Sequence, residues 1–385
     1  MKKVTQYLYV YAFLGILFLG FFMNLSNLSA AVNEAVTEYS YEGWSTIINL
    51  EYNDNIWNRY AFVEGNGLVH RVLGQNRMNG IVRLKNGKVV TVTEATDITV
   101  QAQSVIQFNQ WLQEREVDFL YVQAPYEVCD VDNQLPKGIM DYSNDNAGRF
   151  ITCISEAGVP YMDLHEMMHE AGMDHYDAFF KTDHHWKIET AFWAFTKIVE
   201  YTEEIGVSVP AEYVSMESYS REKTEAVILG SNGRKTGYLY SGLDDMTILT
   251  PAFDTSVRLI VEEENINREG SFEEAYLFYE RLSGDSIYET AQYDIYLGQD
   301  YGLCSLICET APSDQKILII KDSYARPVVT FMGTVYAQAD VIDMRYYDGN
   351  VYEYVEQTQP DMVIVMYNPY MLNTVGNFDF NKETE

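Results

Sequence analysis

The run DMVIVMY, from Asp361 to Tyr367, carries apolar side chains at odd and even positions alike. Successive side chains of a strand point to opposite faces, so a strand of this kind must be covered on both sides. KILII (Lys316 to Ile320) and ADVIDM (Ala339 to Met344) are similar runs nearby. The spacing between them predicts helices over Ala325 to Tyr336 and over VYEYVEQTQ, which begins at Val351. Upstream the same grammar recurs: DFLYVQAP is a strand ending at Pro125, NDNAGRFITCISEAG a helix closed by Gly158, and VPYMDL the next strand. Buried strands alternating with helices define an α/β fold with a parallel sheet between two helical layers.

Two stretches stand apart from this pattern. Residues 32–100 form an N-terminal lead-in with a hairpin signal at Asn86-Gly87. Residues from about 205 to 295 are richer in Gly, Ser, Asp and charge, with GSNGRKTG and SGLDD as turn clusters, and are read as an inserted substructure.

Composition narrows the function classes. Against 26 basic residues stand 57 acidic ones, a net charge of −31. A surface this negative repels phosphate backbones, so nucleic acid is excluded as a partner. At the N-terminus, Lys2 and Lys3 precede an apolar run from Leu8 to Met23, and small residues follow at Ser29, Ala30 and Ala31. Residues 1–31 are therefore a signal peptide or an uncleaved membrane anchor, and either places the body outside the membrane. The 31 tyrosines suit a chain that stacks on sugars, although packing explains many of them equally well. The four cysteines are read as packing residues or occasional disulfides; Cys129 and Cys153 flank a segment short enough to close.

Five of the six histidines lie between His165 and Trp186, and two chemistries compete for them. HEMMHEAGMDH fits the H-E-x-x-H-x-x-G-x-x-H pattern of a zinc protease, with His165, His169 and His175 as ligands and Glu166 as base. The context opposes it. Pro160 and the strand-like VPYMD leave a helix of about two turns between an Asp163 cap and a Gly172 stop. The expected form is a short helix with methionines packed inward, histidines and glutamates facing water, and no metal.

The second chemistry uses TDHHW. Asp183 and His185 are two apart and cannot share a helix face, so they must sit in an extended or turn segment. The helix KIETAFWAFTKIVEY follows at once, with Ile188, Phe192, Phe195 and Val199 on one stripe. A carboxylate so placed can fix the tautomer of the imidazole and stabilise its charged form. In KILIIKDSYARP, Ser323 follows a buried strand and precedes a helix, at the carboxyl edge of the sheet where α/β folds bind ligands. Backbone N–H groups at that helix start can meet an oxyanion. Plain helix capping by Asp183 or Thr182, and by Asp322 with Ser323, is the structural alternative.

The landmarks GVPYMDL, FFKTDHHW, YDIYLGQD, KILIIKDSY and VIDMRYYDGN resemble those of the DHHW family, relatives of the SGNH-hydrolase-like alginate O-acetyltransferases. The resemblance implies a flavodoxin-like three-layer fold with Asp183, His185 and Ser323 as a triad. It also implies acetyl transfer to exported polysaccharides, often beside a membrane-bound O-acyltransferase that supplies the acyl group, with no cofactor. Lys321 stands in place of the glycine of the usual G-D-S block, and Gln299-Asp300 where relatives tend to have Gly-Asn. Arg326 and Arg345 are candidate substrate contacts, with salt bridges as the alternative for each. The expected function is an extracytoplasmic O-acetyltransferase or acetylesterase acting on a polysaccharide. A silent glycan-binding protein of the same fold and a secreted zinc metalloprotease are the rivals.

Overall fold

The computed structural model describes residues 57–282 and 286–382, together with parts of 7–29. The chain divides into two compact units, Met1–Val69 and His70–Glu385. Residues 18–25 are helical, and most of the expected signal or anchor segment lies outside the described residues. Among the described residues no helix is long and apolar enough to cross a membrane.

In the larger unit, Arg77–Met78 (β1), Ile81–Arg83 (β2) and Val89–Thr91 (β3) form a small antiparallel sheet. Its second turn contains Asn86-Gly87, and Gly87 has the positive φ that such a turn requires. Asp118–Gln123 (β4) and Tyr161–Asp163 (β5) flank the helix Ser143–Glu156. That helix stops before Gly158, whose φ is +78°. Tyr219–Ile228 (β6) and Asp244–Pro251 (β7) form a separate antiparallel ribbon. Val257–Val261 (β8), Ile266–Gly270 (β9) and Leu303–Cys308 (β10) precede the C-terminal strands Ser313–Lys321 (β11), Tyr336–Ile342 (β12) and Met362–Tyr367 (β13).

The central sheet has eight strands in the order β5-β4-β13-β11-β12-β10-β8-β9. The strands legible as apolar runs, β5, β4, β13, β11 and β12, are all mutually parallel. Beyond β12 the sheet continues antiparallel through β10, β8 and β9, so part of the 205–295 segment extends the main sheet. Counted from β11, the parallel strands stand in the order 2-1-3-4-5, the flavodoxin arrangement. The chain simply enters that arrangement at the fourth strand, β4. The connections after β11 depart in opposite directions, to β12 and then to β13, which makes the carboxyl ends of β11 and β13 the topological switch point.

The strand alternation sorts the core. Ile317 and Ile319 of β11 pack with Phe192, Phe195 and Ile198 of the helix Ile188–Glu204. Leu318 and Ile320 pack on the opposite face with Phe108 of Thr99–Gln113 and Phe150 of Ser143–Glu156. The all-apolar run thus buries both of its faces, as its composition demands.

Ile319 lies 1% exposed on the central strand. Ile319→Ala is expected to destabilise the fold by about 2–5 kcal/mol, seen as a lower urea midpoint at unchanged m-value.

Candidate active site

β11 ends at Lys321, and the chain turns at Asp322 into a 3-10 turn, Ser323–Ala325, and then the helix Arg326–Met332. The helix is shorter than the predicted Ala325–Tyr336 because β12 already begins at Tyr336. Asp322 is fully buried and joins the ends of two strands. Its Oδ1 accepts from the Tyr324 N–H at 2.8 Å, and its Oδ2 from the Asn368 N–H at 2.7 Å and Asn368 Nδ2 at 2.8 Å. Burial pushes its carboxyl above the usual range. Ser323 is left at the switch point, nearly buried and lining a cleft.

The dyad reaches this point on a tight turn. Phe179 and Trp186 form an isolated antiparallel bridge, and the Lys187 N–H donates to the Ala178 carbonyl at 2.8 Å. Within the turn, His185 Nδ1 lies 2.5 Å from Asp183 Oδ1, and His185 Nε2 lies 2.8 Å from Ser323 Oγ. The structure therefore brings all three expected residues together. Neither Thr182 nor Asp183 caps the following helix, which starts at Ile188 after Lys187.

GSNGRKTG, read from sequence as a turn cluster, is the clamp on this turn. The Ser231 N–H donates to Asp183 Oδ2 at 2.6 Å, the Gly230 N–H to Thr182 Oγ1 at 2.9 Å, and the Gly233 N–H to the Thr182 carbonyl at 2.8 Å. From the other side, Asp244 accepts from the Lys181 and Thr182 N–H groups and the Thr182 hydroxyl. Burial alone would raise the Asp183 carboxyl. The adjoining His185 and His184 rings and the donors on it outweigh burial and hold it well below the usual carboxylate range. His184 differs from its neighbour. Although 34% of its side chain meets solvent, burial of the ring and repulsion from His185 push it down to about 3.

His185 is also stacked face to face on Tyr293, with centroids 3.9 Å apart and planes 8° from parallel. Tyr293 is fixed in turn: its hydroxyl donates to the Tyr324 carbonyl at 3.0 Å and accepts from Trp186 Nε1 at 3.1 Å. The imidazole is thus oriented by a carboxylate at its edge and a ring at its face.

Beneath the serine lies an ion cluster. Lys321 Nζ, fully buried, contacts Asp300 Oδ1 at 2.5 Å and Asp343 Oδ2 at 3.1 Å. Arg326 pairs with Asp294 and Asp300, and Arg345 with Asp343 and Asp300. Burial opposes the charge on Lys321, and the two carboxylates keep it protonated. The Asp300 carboxylate serves all three cations. Both Arg326 and Arg345 line the cleft, and both are ion-paired there.

Asn368 was not singled out from sequence. It follows β13 as Ser323 follows β11, and it shares the cleft with Ser323, Tyr126, Ser231, Arg345 and Tyr370. The sequence signal was available: DMVIVMYNP repeats the pattern of a buried strand, a polar residue and a turn.

The upstream histidines correct an expectation. The helix Leu164–Glu170 is short, capped by Asp163 and stopped before Gly172, and Met168 is buried, as predicted. The histidines do not simply face water. His165, His169 and His175 gather with ring centroids 4.5–5.4 Å apart, and His175 is 5% exposed. Glu166 is exposed. All four cysteines are free thiols.

Residues 85–223 match the model of the SGNH hydrolase-like domain of the acetyltransferase AlgX. The chain carries an SGNH hydrolase-like fold. PatB1 of Bacillus cereus has a similar structure, with a TM-score of 0.65 at 21% identity over 77% of this chain and 99% of that one. A DHHW family protein from Eubacterium siraeum DSM 15702 gives 0.62 at 17% identity over 80% and 98%. The resemblance read from TDHHW and KDSY is borne out by these matches. No curated protein matches the chain significantly. The AlgX match contains Asp183 and His185, and Ser323 lies beyond it.

A Cβ at Gly230 would sit 2.2 Å from Asp183 Cβ and 2.5 Å from its Oδ2. Gly230→Ala is expected to cost about 1–3 kcal/mol by overpacking. Gly376→Ala, where nothing lies within 4 Å, should stay within about 0.5 kcal/mol of wild type in the same urea titration.

Proposed function

We propose that the protein is an extracytoplasmic O-acetyltransferase or acetylesterase acting on a cell-surface or exported polysaccharide. The unbroken line from Asp183 through His185 to Ser323, at 2.5 and 2.8 Å and ending in a cleft, carries the reading. His185 Nε2 takes the Ser323 proton as Oγ attacks the acyl carbonyl, and Asp183 stabilises the imidazolium so formed. The tetrahedral oxyanion is met by the Ser323 N–H and by Asn368 Nδ2, whose other hydrogen is held by Asp322. Collapse expels the donor's leaving group with the proton from His185 and leaves an acyl-serine. His185 then deprotonates a sugar hydroxyl, or water in the esterase case, and the acyl group passes on.

The glycan setting rests on the fold shared with acetyltransferase domains and on the cleft wall. Tyr126 lines it, and Tyr370, about half exposed, offers a flat face of the kind sugars stack on. Residues 1–31 would export the chain or tether it to the membrane, and a membrane-bound O-acyltransferase would supply the acyl group. Arg345, which lines the cleft, would meet the acceptor there.

Turnover of a fluorogenic acetyl ester is expected from wild type, with a loss of at least about a thousandfold in Ser323→Ala at unchanged thermal midpoint. Binding of acetylated glycan with no turnover by wild type would instead make it a silent glycan-binding protein. Asn368→Ala should lower kcat by about 10²–10³ with a smaller change in KM, as loss of an oxyanion donor does.

A further inference from the structure

The histidines left over from the triad are grouped with a cysteine. Cys129, in the loop after β4, places Sγ 3.8 Å from His169 Nε2, and His169 Nε2 lies 3.2 Å from His175 Nδ1. One ligand atom from each of these three residues falls within 4.8 Å of the others. Asp130, His165 and His169 form a second such group that shares His169. A tetrahedral zinc ion with Zn–N of about 2.0–2.1 Å and Zn–S of about 2.3 Å requires N–N edges of about 3.3 Å and S–N edges of about 3.6 Å. The two separations, 3.8 and 3.2 Å, lie within about 0.2 Å of those edges.

The surroundings also suit a metal. The Asp132 N–H donates to Cys129 Sγ at 3.2 Å, a contact that stabilises a thiolate. Asp130 Oδ1 lies 3.3 Å from His165 Nε2, the carboxylate–histidine arrangement that orients metal ligands, while His165 Nδ1 is buried without a hydrogen-bond partner. Local folding explains the convergence. Asp163 accepts from the His165 and Glu166 N–H groups and starts the helix, which puts His165 and His169 one turn apart on one face. Gly172, at φ +69°, reverses the chain and returns His175 to the same place. Tyr176 donates to the Asp132 carbonyl at 2.8 Å and fixes the cysteine loop alongside.

We propose that Cys129, His169 and His175 bind a zinc ion, and that His165, held by Asp130 through Nε2, turns its unpartnered Nδ1 inward on binding to close the fourth position. Binding releases the Cys129 thiol proton to solvent. With a thiolate and imidazoles around it the site is closed, so its role is structural. It staples three segments together: the loop after β4, the helix Leu164–Glu170, and the segment that leads on to Asp183 and His185.

The test uses the full chain with any affinity tag removed, stripped with a chelator and dialysed. Added zinc is expected to bind at one equivalent, measured by elemental analysis after gel filtration, and to raise the thermal midpoint by about 3–5 °C. Cobalt in place of zinc should give a thiolate charge-transfer band that is absent in Cys129→Ser, and His169→Ala should lose stoichiometric metal. The wild-type chain carries the test even if those variants fold poorly. Uptake well below one equivalent by the stripped, folded wild type, or a cobalt complex with no thiolate band, overturns the proposal.

Discussion

A strand covered on both faces meets water only at its ends, and this constraint organises the molecule. The buried stretches of β4, β13 and β11 carry apolar side chains on both faces because helices lie above and below them. Polar chemistry is therefore displaced to their carboxyl ends. There Ser323 follows β11, Asn368 follows β13, and the loop bearing Tyr126 and Cys129 follows β4. The edge strand β5 delivers Asp163 and the histidine helix to the same side of the sheet. The dyad precedes the serine in sequence because the chain enters the flavodoxin order at its fourth strand.

Once polar groups are confined to that edge, their energetics depend on how completely each is paired. Asp183 is buried and charged, which is unfavourable unless its oxygens are occupied. The N–H groups of His185 and Ser231 and the imidazole edge occupy them. Lys321, Arg326 and Arg345 face Asp294, Asp300 and Asp343 on the same principle, and removal of any one member would leave a buried opposite charge. Lys321 thus differs from a glycine at this junction without intruding on the serine. Its ammonium is held under the turn by Asp300 and Asp343.

What could be read from sequence divides along physical lines. The parallel strands and the helix Ile188–Glu204 were legible because burial writes an apolar period into the chain. β8, β9 and β10 were not: they alternate buried and partly exposed residues, and β9 has none buried, so they resemble the polar insertion around them. Asp183, His185 and Ser323 were legible because their chemistry and local context coincide. Gly230 and Ser231 act through backbone N–H groups and closeness to Asp183, neither of which a residue identity announces. Tyr293 is one tyrosine among 31. Cys129 gains a histidine partner only when a strand, a helix and a turn have folded.

Two histidine patterns lie side by side between His165 and His185. A loop-borne dyad has a weakness: its geometry is only as firm as the segment that carries it. At the far end of this segment, Trp186 Nε1 donates to the Tyr324 carbonyl at 2.9 Å, next to the serine itself. At the near end, His175 packs on Phe179 and joins the Cys129–His169 group. An ion at that group would anchor the dyad segment at its origin without touching the reacting atoms. A closed ligand set suits that work, since an open position would invite a rival hydrolysis beside the serine. On this view the motif that looks like a protease supplies rigidity, and the motif that follows it supplies the chemistry.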